Sequence, residues 1–349
     1  MTKQEKIAVF DPNGLGSSGN NLYGLPFTEE ESEIIIFPVP WEVTVSYGSG
    51  TATSAKAIMD ASMQVDLYDA DVKDAWKNGI FMKDIPTNWL DKSNSLRKQA
   101  EAYISFLEDG GHVNEGTEQK KVLDNINKEC TVLHQWVKTE TSKLIAQNKL
   151  VGLLGGDHST PLGLMQALGD KYQYGILHID AHCDLRDSFE GFTYSHASIF
   201  YNALRISSVT KLVQVGIRDF CEAELNVANN SNNRVKIFFD ADMRRRQYEG
   251  DTWRTIVDDI VKELPQNVYI SFDIDGLDPK LCPNTGTPVA GGLELEQSFY
   301  LIKKVTDSGR KIIGFDLCEV SPGEDEWDAN VGARVLYKLC NLGNQSFKK

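Results

Sequence analysis

Asp180, His182 and Asp184 alternate within His178-Ile179-Asp180-Ala181-His182-Cys183-Asp184. In an extended chain every second side chain shares a face, so these three can converge on one point while Ala181 and Cys183 turn away. Ser271-Phe272-Asp273-Ile274-Asp275 repeats the pattern with two more carboxylates, and Gly155-Gly156-Asp157-His158-Ser159 adds an imidazole at His158. Together they offer four carboxylates and two imidazoles, enough for two divalent ions if some carboxylates bridge. The charges then balance, as they must, because buried carboxylates without a counter-charge protonate instead. Oxygen-rich ligation favours a hard ion such as Mn²⁺ over a structural zinc, which draws on thiolates, and Ni²⁺ also suits imidazole and carboxylate. A single motif of this kind is usually a set of caps and turn residues. Three in one chain point to a metal site.

The elements that must position these residues are legible as apolar runs. Leu150 to Leu154, Tyr174 to Leu177 and Val268 to Ile270 each end in one of the motifs, as buried strands that deliver chemistry at their carboxyl ends do. Strands are expected near 34–37, 150–154, 174–179, 211–216, 235–239, 267–272 and 311–317. Helices are expected after the Pro38 to Gly50 loop through Ala61, at Lys92 to Leu107 and Val122 to Ala146, and near 160–169, 197–206, 252–264, 295–308 and 330–342. Alternation of strand and helix predicts an α/β fold of three layers, a mostly parallel central sheet with helices on both faces. Residues 1–33 read as an N-terminal arm or loop, and 34–349 as a single domain with a helical insertion around 70–149.

Composition narrows the function. A net charge of −14 argues against a nucleic-acid partner, which needs a positive face, and suits a small cationic substrate. No apolar run approaches the ~20 residues that span a bilayer, and the first residues lack an apolar signal core, so a cytoplasmic protein with no membrane partner is expected. Six cysteines are scattered without CxxC spacing and read as core residues. His112 and His134 have no ligand pattern around them and read as surface or packing residues.

The three motifs, with Ser195-His196-Ala197-Ser198, Thr285-Gly286-Thr287-Pro288 and Glu319-Val320-Ser321-Pro322, occur in the order found in ureohydrolases, the arginase and agmatinase family, and the chain resembles its agmatinase-like branch. Asn284 stands where that family more often has glycine, and Asn tolerates the left-handed backbone such a turn would use. The resemblance implies that His158 and Asp184 bind one Mn²⁺ and His182 and Asp275 the other, with Asp180 and Asp273 bridging. It further implies Asp184 as the residue that holds the attacking hydroxide, His196 as the proton shuttle at the substrate and Glu319 as the carboxylate that binds the guanidinium. A homo-oligomer, trimer or hexamer, is implied as well. The segment Asp184 to Gly191 is unlike the arginase segment that binds an amino-acid head group. Agmatine hydrolysis to putrescine and urea is therefore the expected reaction. Guanidine, guanidinobutyrate and other guanidino acids follow as substrates, with formimidoylglutamate, arginine and an inactive scaffold further behind. Glu42, Asp187 or Glu190 could meet the far amine of agmatine, whereas an inward Arg186 would favour an acid.

Overall fold

The computed structural model describes residues 1–17 and 19–348. Its centre is an eight-stranded sheet: β1 Ile34–Val39, β2 Ile80–Met82, β3 Leu150–Gly155, β4 Tyr174–Ile179, β5 Val209–Ile217, β6 Val235–Phe239, β7 Asn267–Asp273 and β8 Lys311–Cys318. The order is β2-β1-β3-β8-β7-β4-β5-β6 and every pairing is parallel. The expected "mostly parallel" sheet is thus wholly parallel among the described residues. Burial on both faces explains the runs of Ile, Val and Leu. In β1, Ile34 and Ile36 enter one core while Ile35, Phe37 and Val39 enter the other, and Leu150 and Leu154 against Val151 and Leu153 do the same in β3.

Helices complete the outer layers. One core packs under α2 Ser54–Ser62, α9 Trp253–Lys262, α10 Leu295–Asp307 and α11 Trp327–Phe347. The other packs under α3 Thr87–Glu108, α4 Glu118–Ala146, α5 Leu162–Gly169 and α6 Ile199–Ala203. Three further helices, α1 Lys3–Val9, α7 Glu222–Asn229 and α8 Asp240–Tyr248, were not expected from the sequence, and neither was β2. Beyond α1, Leu22, Tyr23, Leu25 and Phe27 are buried, and the Tyr23 hydroxyl donates to the carbonyl of Ala333 in α11.

Asn284 corrects one expectation. It is not among the residues with positive φ, and its turn is held by Asp328 instead, whose carboxylate accepts from the Asn284 backbone N at 3.0 Å and from Nδ2 at 2.8 Å.

Candidate active site

The strands β3, β8, β7 and β4 are neighbours at the centre of the sheet, and their carboxyl ends present His158, Glu319, Asp273 with Asp275, and Asp180 with His182 and Asp184. Parallel pairing levels those ends: Leu154 lies opposite Leu317, Asp273 opposite Cys318 and Ile179 opposite Phe272. Residues far apart in the chain therefore meet.

They meet as two joined groups. His158 Nδ1 stands 3.1 Å from Asp180 Oδ2, 3.2 Å from Asp273 Oδ2 and 3.3 Å from Asp184 Oδ2. His182 Nδ1 stands 3.1 Å from Asp275 Oδ2 and 3.4 Å from Asp180 Oδ1. Asp180 belongs to both groups through its two oxygens. All four carboxylates and His158 are buried, and His182 is half-buried.

Simple alternation places only part of this. Strand β4 stops at Ile179, and Asp184 reaches His158 from a left-handed backbone, φ 52°. That conformation is strained for a residue with a Cβ and marks a position held by its surroundings. Asp275 lies in a short 3₁₀ turn, Ile274–Gly276, whose first N–H groups are capped by Asp273: Asp275 N donates to Asp273 Oδ1 at 2.9 Å. The second motif therefore converges by a turn, where the sequence suggested an extended segment.

The electrostatics fit a cation site. Among the described residues, histidines are the only basic side chains within 4.0 Å of these four carboxylates. Burial, then Asp180, pushes the Asp184 carboxyl up to about 7. Burial, then Asp275 and Asp180, pushes Asp273 well above the carboxylate range. Burial opposes a charge on His182, yet Asp275 and Asp180 outweigh it and raise the imidazole to about 12. Without divalent ions the cluster must hold extra protons; with them the carboxylates can ionise and the imidazoles can give up their protons to bind.

Beside the cluster lies a cavity of 180 Å³, walled by Ser46, His182, Asp184, Arg186, Phe189, His196, Ala197, Asp219, Phe220, Glu224 and Thr287. His196 starts a 3₁₀ turn capped by Ser195, whose Oγ lies 3.4 Å from His196 Nδ1. Burial, then the nearby His182 and His158, pull the His196 imidazole down to about 4, so it is neutral at rest. Glu319 also has a left-handed backbone, φ 62°, and its Oε1 accepts from His158 N at 2.8 Å. Gly286 lies beside Glu319, its Cβ position 3.6 Å from Oε2.

None of the acids expected to meet a far amine lines this cavity. Glu42 Oε2 accepts from Gly50 N at 2.7 Å and Ala52 N at 3.1 Å. Asp187 is exposed toward Arg205, and the Glu190 backbone meets Tyr103. The cavity wall offers Asp219 instead, and Glu224, whose oxygens take Leu185 N and Cys221 N. Sequence reasoning also passed over Ser271 and Asp316: His158 Nε2 lies 2.9 Å from Ser271 Oγ, which donates to Asp316 Oδ2 at 2.7 Å.

A parallel α/β sheet carrying a buried pair of carboxylate and imidazole groups at its carboxyl end, next to a polar cavity, defines a metallohydrolase. The chain belongs to the arginase family, whose sequence profile matches residues 32–341. It is an agmatinase-like ureohydrolase, an enzyme that hydrolyses linear amidine C–N bonds. An N(1)-aminopropylagmatine ureohydrolase of Thermus thermophilus is 30% identical over 318 residues, 90% of this chain and 91% of the relative. A guanidinobutyrase of Pseudomonas aeruginosa is 32% identical over 217 residues, 59% of this chain and 65% of the relative. The agmatine ureohydrolase of Thermoplasma volcanium shares the fold with a TM-score of 0.71 at 21% identity, over 99% of both chains.

Proposed function

We propose that His158 and Asp184 hold one divalent ion and His182 and Asp275 a second, with Asp180 and Asp273 shared between them. The observation that carries this reading is the pair of joined groups, in which Asp180 turns one oxygen toward His158 and the other toward His182. Mn²⁺ is the first choice for so oxygen-rich a set, and Ni²⁺ the second. When bound, the ions acidify a water molecule enough to make it a nucleophile near neutral pH.

The protein's own residues do the rest. Glu319 presents a carboxylate to the planar guanidinium, a two-pronged match that aims the amidine carbon at the cluster. Asp184 orients the attacking oxygen by accepting its hydrogen bond. His196, neutral and on the cavity wall, collects a proton and passes it to the departing amine, so that urea and an amine leave. Agmatine is the substrate proposed first, its far ammonium facing Asp219 at the wall of the cavity.

One observation favours a second reading. Arg186 lines the same cavity, with its guanidinium 4.8 Å above the Phe189 ring, and a cation there suits the carboxylate of 4-guanidinobutyrate. The chain acts in this proposal as a cytoplasmic enzyme of polyamine metabolism, a homo-oligomer whose single domain from residue 34 carries the site, with residues 1–33 as an N-terminal arm.

Urea release from Mn²⁺-loaded and Ni²⁺-loaded protein, measured across agmatine, guanidine, 4-guanidinobutyrate and arginine, tests it, with formamide release from formimidoylglutamate alongside. Agmatine is expected to lead. A lead for 4-guanidinobutyrate assigns the cavity to Arg186, a lead for arginine contradicts both readings, and release of neither urea nor formamide from any of them overturns the proposed substrates.

A further inference from the structure

A fourth imidazole, His178, lies behind the candidate metal ligands and belongs to none of the roles above. It occupies β4 two residues before Asp180, so the alternation that presents the ligands extends one step back into the strand. His178 is fully buried, and Phe200 lies against its ring at 3.9 Å. His178 Nε2 stands 2.7 Å from Asp180 Oδ2.

The other side of the ring is set by β5. Gln214 lies directly across the parallel pairing from His178 and is also fully buried. Its Nε2 stands 2.6 Å from the carbonyl oxygen of Cys183 and 2.9 Å from His178 Nδ1, while its Oε1 has no partner among the described residues. Turning the amide over would set Oε1 against the Cys183 carbonyl, acceptor against acceptor, so the NH₂ group must face both neighbours. A donor from Gln214 into Nδ1 leaves the His178 ring proton on Nε2. That proton can go only to Asp180.

We infer that Gln214 and His178 form a positioning relay: Gln214 fixes the tautomer of His178, and His178 then donates to Asp180 Oδ2 and holds that shared carboxylate in the orientation that serves both ions. Asp180 is the group for which orientation matters most, because its Oδ1 accepts from His182 N at 2.5 Å while Oδ2 faces His158. A carboxylate free to rotate would serve one ion at the other's expense. Partners of this kind, one layer behind the ligands, change metal affinity or activity on the order of 10- to 100-fold when removed. The inference rests on the metal-ligand reading above.

Two measurements on the full chain test it. Nitrogen NMR of protein labelled in histidine reads the tautomer without any substitution: a proton on Nε2 of His178 supports the relay, and a proton on Nδ1 overturns it. Titration with Mn²⁺ alone, followed by calorimetry and by the paramagnetic signal of a coupled ion pair, reads the consequence. His178→Leu is expected to weaken manganese binding on the order of 10- to 100-fold. His178→Gln, which keeps an N–H within reach of Asp180, should recover most of that loss, and Gln214→Leu should fall between. Wild-type affinity for both ions in His178→Leu, or no rescue by His178→Gln, overturns the relay. A wild-type protein that takes up neither manganese nor, in a parallel titration, nickel fails the ligand assignment itself, and the NMR result stays separate from that failure.

Discussion

His196 shows what its surroundings ask of a single side chain. Burial and the neighbouring imidazoles keep it uncharged down to about pH 4, so a proton placed on it is readily passed on, the property a shuttle to a departing amine needs. It stands on the cavity wall outside the group of ligand atoms. His196→Asn is therefore expected to keep the wild-type metal content and lose turnover by about 10²- to 10⁴-fold; loss of metal in this variant would make His196 a ligand. Alternation drew attention to the Asp180 and Asp273 motifs because side-chain period is a property of local sequence, but the left-handed backbone of Asp184 and the 3₁₀ turn at Asp275 that complete the convergence are set by surroundings the spacing does not reveal. Glu319 was legible only through the resemblance to known ureohydrolases, since one carboxylate after a strand is otherwise ordinary. His178 was hidden by its partner: the Gln214 that gives it a role arrives through strand pairing, which sequence spacing does not reveal.

Among the elements, long periodic ones were read well and short or polar ones were missed. Helix α8, Asp-Ala-Asp-Met-Arg-Arg-Arg-Gln-Tyr, buries only Asp240 and Met243 and shows no apolar stripe to read. Strand β2 has three residues, too few for any period. The connections carry constraints just as strict. Gly156 follows β3, where a Cβ would fall 1.9 Å from the Trp41 carbonyl oxygen and drive the loop after β1 away from the site. Gly156→Ala is expected to destabilise the fold by at least about 1–3 kcal/mol, visible as a lower denaturant midpoint, with activity lost alongside.

Helix α4 carries a pH-sensitive contact. His134 is buried edge-on against Tyr194, and among the described residues neither ring nitrogen has a partner. Burial pulls its imidazole down to about 3 from an ordinary value of 6.5. The unfolded chain then binds the extra proton between those values, so this group leaves stability untouched above about pH 7 and subtracts from it as pH falls toward 3. At pH 5 the subtraction is about 2 kcal/mol. His134→Phe, compared with wild type in metal-free form, should lose about that much less unfolding free energy between pH 7 and pH 5. An unchanged pH dependence would show that His134 finds a proton partner in solution.

At the scale of the whole molecule, the all-parallel sheet sets the site at the meeting point of its four central strands, β3, β8, β7 and β4. The alternation of apolar runs with helical stretches made this layout legible, whereas the strand order that brings β8 between β3 and β7 was not, because order depends on long-range pairing. Concentrating four buried carboxylates at one edge costs stability unless cations are bound. Ions that bind the folded chain alone should therefore raise its stability, by about 2.7 kcal/mol per site at a hundredfold excess over the dissociation constant. The most direct measurement is the metal content per chain, by elemental analysis, of wild type, Asp184→Ala and Asp275→Ala after manganese loading and removal of free ion. Two ions per wild-type chain, with no more than one in either variant, is the predicted result. A single zinc in the wild type, or two ions retained in both variants, would contradict the two-ion site.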